Sequence, residues 1–387
     1  MSSPYPRVLR PPKESFFLLG PRGTGKSTWL RQLFPKARRF DLLDEGLFQS
    51  LLADPRLLAG ELRTIRPGSW VVLDGVQRLP GLLNEVHRFM EDRRLRFVLC
   101  GSSARKLRTS GTNLLAGRAV RRELFPLVPE ELGPDFDLAR ALRFGTLPIV
   151  TAAREPAETL TAYAQLYLRE EVQAEALVRS LQGFARFLPV AALSHGQVVN
   201  AAAIARDCGV ARTSVLGYLS ILEDTLMTFQ VPAFESALRV RERKHPKLYW
   251  ADAGIVRAVK RQLGPVTVEE RGSLFEGWVA SLLRAYGSYR GLFETMSYWA
   301  PADGAGTEVD FVLERGGRTL AIEAKSSPRY DGAMLRGLRA IAPLPGLARR
   351  VLVYTGERRL RTEDGIDVLP VPEFVQEVES GLVWRAS

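Results

Sequence analysis

The sequence predicts an α/β protein: an open parallel sheet with helices on both faces, a helical region, and a second, smaller α/β unit. Three observations carry that reading. Short apolar runs alternate with helix-period stretches through residues 1–128, a glycine-rich loop joins the first run to the first helix, and a Gly316-Gly317 turn joins two alternating strands near the C-terminus.

In order, FFLL, RRFDL, WVVLD and RFVLCGSS read as strands, and STWLRQLF, EGLFQSLLADPRLLAGEL and GLLNEVHRFMEDRR as the helices between them. Near-continuous apolar runs suit strands covered on both faces, and intervening helices supply the crossovers that parallel pairing needs. The loop Gly20-Pro-Arg-Gly-Thr-Gly25-Lys26-Ser27 fits the phosphate-loop pattern G-x-x-x-x-G-K-[ST]. Gly20, Gly23, Thr24 and Gly25 let backbone amides close around phosphate oxygens. Lys26 reaches the terminal phosphates, the Ser27 hydroxyl serves Mg²⁺, and Thr28 completes the cofactor-binding run. Asp74 ends the WVVLD strand, where an open α/β sheet brings it beside the loop to hold the same Mg²⁺. ATP and Mg²⁺ are the cofactors implied.

From residue 129 to 264 the pattern turns helical. A helix from Ala201 to Cys208, a stop at Gly209 and a second helix from about Ala211 suit a helix-turn-helix, since Ala205 and Gly209 let two helices cross closely. The following stretch alternates like a hairpin and carries Arg239, Arg241, Arg243, Lys244 and Lys247, which makes a winged helix. Such a module serves protein contact as readily as DNA reading; in the second case Arg212, Thr213, Ser214 and Tyr218 are the contacts.

Residues 265–387 hold a helix, SLFEGWVASLLRAYG, and then the hairpin, with Asp310 on its first strand and Glu323 and Lys325 on its second. Two adjacent carboxylates with a lysine two residues beyond one of them form a divalent-metal nuclease constellation. Asp310 and Glu323 would ligate the metal, Glu276 on the preceding helix is a further candidate ligand, and Lys325 would orient water or offset phosphorane charge.

Charge is unevenly distributed. Residues 1–128 carry 23 basic and 11 acidic side chains, an excess of +12, against +1 for residues 129–264 and −2 for 265–387. Such a field favours a polyanionic partner, nucleic acid above all, although an arginine-rich genome also produces it. Two cysteines and three scattered histidines without metal spacing point to a reducing cytoplasm and no structural zinc, and no run approaches a membrane span.

The motifs GPRGTGKST, FDLLD, LDGVQRLP, LCGSSARKL, LLAGRAVRRELFPL, KHPKLYWADAG and EVDFVLE…IEAKSS together resemble the prokaryotic AAA+ ATPases that join an AAA domain to a C-terminal PD-(D/E)XK nuclease-like domain. The resemblance spans nearly the whole chain. It implies an AAA+ core in residues 1–128, a helical lid and winged helix in 129–264, and a restriction-endonuclease-like domain in 265–387. It makes Ser102, or Ser103, the sensor of the γ-phosphate. Arg118 resembles the finger that reaches a neighbouring subunit's nucleotide, with a structural salt bridge as the alternative. A ring or other homo-oligomer, a hexamer among the forms, and single-stranded or branched DNA are the partners implied. In such ATPases the third strand ends in Asp-Glu, the second acid polarising the attacking water. Here Gly75 stands in that position, so nucleotide binding with slow hydrolysis is expected, with Gln77 or Glu45 as substitutes. Rival readings are a non-enzymatic, ATP-controlled assembly switch and a signalling ATPase with a protein partner.

Overall fold

The computed structural model describes residues 5–103, 115, 117–167, 181–235, 244–301 and 307–385. Its N-terminal part runs β1 (Phe16–Leu19), α1 (Lys26–Leu33), β2 (Arg38–Asp41), α2 (Glu45–Ala53), α3 (Arg56–Thr64), β3 (Trp70–Asp74), α4 (Leu83–Arg93), β4 (Arg96–Gly101) and β5 (Val120–Glu123). The five strands are parallel, in the order β2-β3-β4-β1-β5. Phe16, Leu18, Val72 and Val98 pack with Trp29 and Leu30 of α1 on one face. Leu19, Val71, Leu73, Phe97 and Leu99 pack with α2, α3 and α4 on the other. Full burial of such side chains contributes about 1.5–3 kcal/mol each.

Two local departures from the sequence pattern have simple causes. The single helix expected over 45–62 is broken at Asp54-Pro55, because proline has no N–H to continue the ladder and restricts the residue before it. β5, with the sequence VRRE, has no apolar run; it pairs only with β1 at the sheet edge, and alternation does not signal it.

The middle segment holds α5 (Leu138–Phe144), α6 (Pro156–Ala162), α7 (Leu181–Leu193), β6 (Gln197–Val198), α8 (Ala201–Cys208), α9 (Arg212–Asp224), β7 (Thr228–Val231), β8 (Lys247–Trp250) and α10 (Ala253–Lys260). Gly209, at φ +63°, ends α8 in the left-handed conformation that favours glycine, as the sequence predicts. β6, β8 and β7 form an antiparallel sheet beside the α8–α9 pair. Arg239, Arg241 and Arg243, basic residues of the expected wing, lie outside the described residues.

The C-terminal segment begins with the long α11 (Val268–Arg290) and continues through β9 (Thr295–Trp299), β10 (Val309–Arg315), β11 (Arg318–Lys325), α12 (Arg336–Ala340), β12 (Leu347–Tyr354), β13 (Leu360–Arg361), β14 (Ile366–Pro370) and α13 (Val371–Ser380). Its mixed sheet has the order β13-β14-β12-β11-β10-β9. Gly316 and Gly317, at φ +55° and +73°, make the tight turn between β10 and β11 that the sequence predicts. One apolar core runs without interruption from the middle helices through α11 into this sheet, so the two segments share packing rather than meeting across a linker. Among the described residues no helix is long and apolar enough to cross a membrane.

Candidate functional site

The phosphate loop connects β1 to α1 and is shaped by close approaches. A Cβ on Gly20 would stand 2.4 Å from the Leu124 carbonyl oxygen, and one on Gly23 2.7 Å from Ile149 Cγ2. Gly23 and Gly25 also have φ of +79° and +82°, so glycine is required twice over at Gly23. The Thr24 side chain is buried and donates to the Pro21 carbonyl at 2.9 Å, bracing the loop from inside. Lys26 donates to the Gly20 and Pro21 carbonyls at 2.6 and 2.9 Å, which holds its ammonium over the loop. The Ser27 hydroxyl donates to Asp74 Oδ2 at 2.5 Å. The two oxygen donors that a nucleotide-bound Mg²⁺ needs are thus in contact, and the residues present fit the group.

A cavity of about 360 Å³ opens beside this loop, lined by Tyr5, Arg7, Gly23, Thr28, Leu127 and Ile149 among others. Arg7 ties its wall together. It donates to the Phe125 carbonyl at 2.5 Å and the Thr24 carbonyl at 3.3 Å, pairs with the buried Glu131 at 3.1 Å, and reaches Tyr289 Oη of α11 at 3.3 Å. Sequence reasoning missed Tyr5, Arg7 and Ile149, because they are distant in the chain and carry no motif.

Gly75 has φ +79° and ψ +25°, and its missing Cβ would face Leu42 and Leu43. Any other residue there would carry the left-handed penalty of about 1–2 kcal/mol. Gln77 follows on a short 3₁₀ turn, and its Nε2 donates to Ser102 Oγ at 3.3 Å. Its Oε1 is buried and has no partner among the described residues. Gly101 leaves it room, since a Cβ there would stand 2.6 Å from that oxygen. Glu45, in contrast, is 63% exposed and accepts from Arg78 at 2.8 Å, which holds it at the surface and its carboxyl below the usual range. Ser102 and Ser103 are both buried at the end of β4. Arg118 is 46% exposed and pairs with Glu91 at 2.5 Å.

The second cluster lies on the C-terminal sheet. Asp310 and Glu323 stand opposite one another, one step beyond the Phe311–Ile322 pair, and both are buried. Asp310 Oδ2 accepts from the Ala324 N–H at 2.9 Å, and Glu323 Oε2 from the Asp310 N–H at 3.3 Å. Lys325 pairs with Glu323 and lies 3.9 Å from Asp310. Glu276 of α11 reaches the same place, and Glu308 joins it: one oxygen from each of Glu276, Glu308 and Asp310 lies within 4.8 Å of the others. Sequence reasoning missed Glu308, although Glu308 and Asp310 alternate onto one strand face, a signal that was available.

Lys247 changes what this cluster can do. The sequence places it among the basic residues of the hairpin; in the structure its side chain is 3% exposed and turned inward, away from any partner's surface. Its ammonium donates to Glu276 Oε1 at 2.8 Å, lies 3.4 Å from Asp310 Oδ1 and contacts Glu308. Burial pulls the ammonium's pKa down, but Glu276, Asp310, Tyr249 and Glu308 outweigh it and hold the pKa well above the usual lysine value. Glu276 is pushed up to about 7, first by burial and then by Asp310, against the pull of Lys247 and the hydroxyl of Tyr249, which donates to it at 2.5 Å. Burial and Asp310 likewise raise Glu323 well above its usual value. The Lys247 ammonium thus stands among the three carboxylates, at the place a divalent ion would take. Tyr218 is a correction: it is 7% exposed and packs edge-on against Phe184, so it belongs to the core and not to a DNA-facing surface. Arg212 and Thr213 are exposed, as a contact surface requires.

Three stretches match known families: residues 12–133 an AAA domain, 135–265 a domain of unknown function (DUF8612) and 271–374 another (DUF4143). The chain thus carries an AAA-type ATPase domain. It is similar to uncharacterized proteins of Mycobacterium tuberculosis and Mycobacterium bovis, each 28% identical over 370 residues, covering 92% of this chain and 80% of the relative. Among solved structures, the ORC2 protein of Aeropyrum pernix aligns over 65% of this chain and 87% of that one, at 12% identity and a TM-score of 0.36. Protein VC1899 of Vibrio cholerae aligns over 95% and 97%, at 13% identity and a TM-score of 0.24.

Proposed function

We propose that this protein is an ATP-controlled AAA+ switch that acts on DNA and turns ATP over slowly. The observation that carries the reading is the 2.5 Å contact between Ser27 and Asp74 under a loop whose glycines are sterically required. Nucleotide-bound Mg²⁺, held by Ser27 and Asp74, would supply charge neutralisation between the phosphates. The chain's own residues do the rest. Loop amides and Lys26 bind the phosphates, the cavity beside Thr28 takes the base, and Ser102 senses the terminal phosphate. Gln77, beside Ser102 and with an unpartnered oxygen, positions the attacking water in place of the acid absent at Gly75. An amide orients water without accepting its proton, which is why turnover is slow.

DNA is the partner favoured by the +12 excess of residues 1–128, helped by exposed Arg212 and Thr213 at the start of α9. Arg118, paired with Glu91 within one chain, would exchange that partner for a neighbouring subunit's nucleotide in a ring. Residues 1–128, 129–264 and 265–387 serve as core, lid with winged helix, and C-terminal module. The shared core of the last two favours a binding or assembly role for that module over nuclease chemistry. Calorimetry with ATP and Mg²⁺ on the native chain and on Lys26→Ala tests the nucleotide site. Equal affinity in the two would overturn the reading.

A further inference from the structure

We propose that Lys247 is the resident cation of the Glu276–Glu308–Asp310 cluster, latching the β7–β8 hairpin to the C-terminal sheet, and that a divalent metal enters only when this ammonium is removed. The inference is independent of whether the partner is DNA.

The geometry is that of a filled site. The ammonium is within hydrogen-bonding reach of Glu276 and in contact with Glu308, with Asp310 at 3.4 Å, and the side chain is 3% exposed. Three carboxylates from two elements therefore converge on one donor group, and a lysine ammonium has three N–H donors to offer. Tyr249, two residues along β8 and on the same strand face, donates to Glu276 as well. The Lys247 ammonium also lies 5.4 Å from the ring centre of Tyr298 on β9.

The hairpin is docked by its backbone too. Tyr298 N–H donates to the Pro232 carbonyl at 2.9 Å, and Phe234 N–H to the Tyr298 carbonyl at 2.6 Å, so the chain leaving β7 pairs with β9. Tyr298 Oη donates to the His245 carbonyl at 2.6 Å on the strand's return. Because Lys247 is carried on a strand held at this spot, it competes as an intramolecular partner, at an effective concentration that free metal does not match. A hard divalent ion needs oxygen atoms at about 2.0–2.6 Å around itself. It cannot take that position while the ammonium is there.

The test uses the full chain without nucleotide and Mn²⁺ as the probe, with free Mn²⁺ read by electron paramagnetic resonance. In the native chain, Glu308→Gln is expected to leave Mn²⁺ uptake unchanged. Lys247→Met is expected to gain one site at least tenfold tighter than any in the native chain, and the double variant with Glu308→Gln to lose it. Mn²⁺ should also raise the melting temperature of Lys247→Met more than that of the native chain. Loss of a native Mn²⁺ site on Glu308→Gln would overturn the proposal, and that arm keeps Lys247 in place, so it decides even if Lys247→Met folds poorly. Equal Mn²⁺ affinity in the native chain and Lys247→Met would overturn it as well.

Discussion

The phosphate loop and the acidic cluster of the C-terminal sheet both gather the residue types of a cation site, yet their acids are partnered differently. At the loop, Ser27 and Asp74 face each other, the glycines accept close approach by Leu124 and Ile149, and the loop's lysine, Lys26, is tied to loop carbonyls. At the cluster, two lysines satisfy the acids: Lys247 for Glu276, Glu308 and Asp310, and Lys325 for Glu323. A motif specifies ligand types. The group that completes them is set by chain segments far away, and for the second site that segment is β8.

The sharpest way to break the comparison is at the loop. Lys26→Ala should abolish ATP binding measured by calorimetry, while leaving the melting temperature of the nucleotide-free chain unchanged, since its partners are loop carbonyls. Next is turnover. Gln77→Ala should lower steady-state ATP hydrolysis about 10²-fold, the order that misplacing a reacting group costs. Gly75→Glu should not restore speed, because the backbone at φ +79° directs the new side chain toward Leu42 and Leu43 and costs about 1–2 kcal/mol of stability. A large gain in turnover from Gly75→Glu would show that the backbone relaxes there and that Gln77 is dispensable.

At the acidic cluster, Lys247→Met should cost about 3–5 kcal/mol in denaturant-measured stability, because it leaves buried carboxylates without their partner. Smaller and pH-dependent is the contribution of His195, which is buried, accepts from the Trp250 N–H at 3.1 Å, and has its pKa lowered from 6.5 to about 3, first by burial and then by Lys260. Its folded pKa is depressed, so it contributes stability above 6.5 that is lost as pH falls toward 3, at about 1.4 kcal/mol per pH unit. Glu276, raised from 4.5 to about 7, works the other way: its share is present below 4.5 and lost as pH rises through 7. Between 4.5 and 6.5 the two slopes oppose. His195→Gln should therefore flatten the acid limb of the stability profile and expose the fall on the alkaline side. An unchanged acid limb would show that His195 is protonated in the folded chain.

Much of the fold was legible because it rests on local pattern. The three apolar strands β1, β3 and β4, the Gly209 stop and the Gly316-Gly317 turn follow from side-chain periodicity and backbone sterics alone. β5 was not legible, since its arginines hide an edge strand, and neither was the break at Asp54-Pro55 weighed against the apolar run around it. The juxtaposition of Asp74, Ser27 and the loop glycines was readable because it is set within one βα unit and its neighbour strand. The inward turn of Lys247 was not legible because its sequence neighbours are basic and its partners, Glu276, Glu308 and Asp310, are 29 or more residues away. Tyr218 was misread for a related reason: helical spacing alone does not tell the face packed on Phe184 from the face left to solvent.

Nucleotide-dependent DNA affinity tests the central claim most directly. Binding of single-stranded, duplex and branched DNA to the full chain should be measured at fixed low salt, with and without ATP and Mg²⁺, alongside Lys26→Ala. Coupling between two sites in one protein typically amounts to about 5–150-fold in affinity. The account predicts a change of at least about 5-fold on adding ATP to the native chain and none in Lys26→Ala. DNA affinity that is absent at low salt, or present but identical with and without ATP, would contradict it.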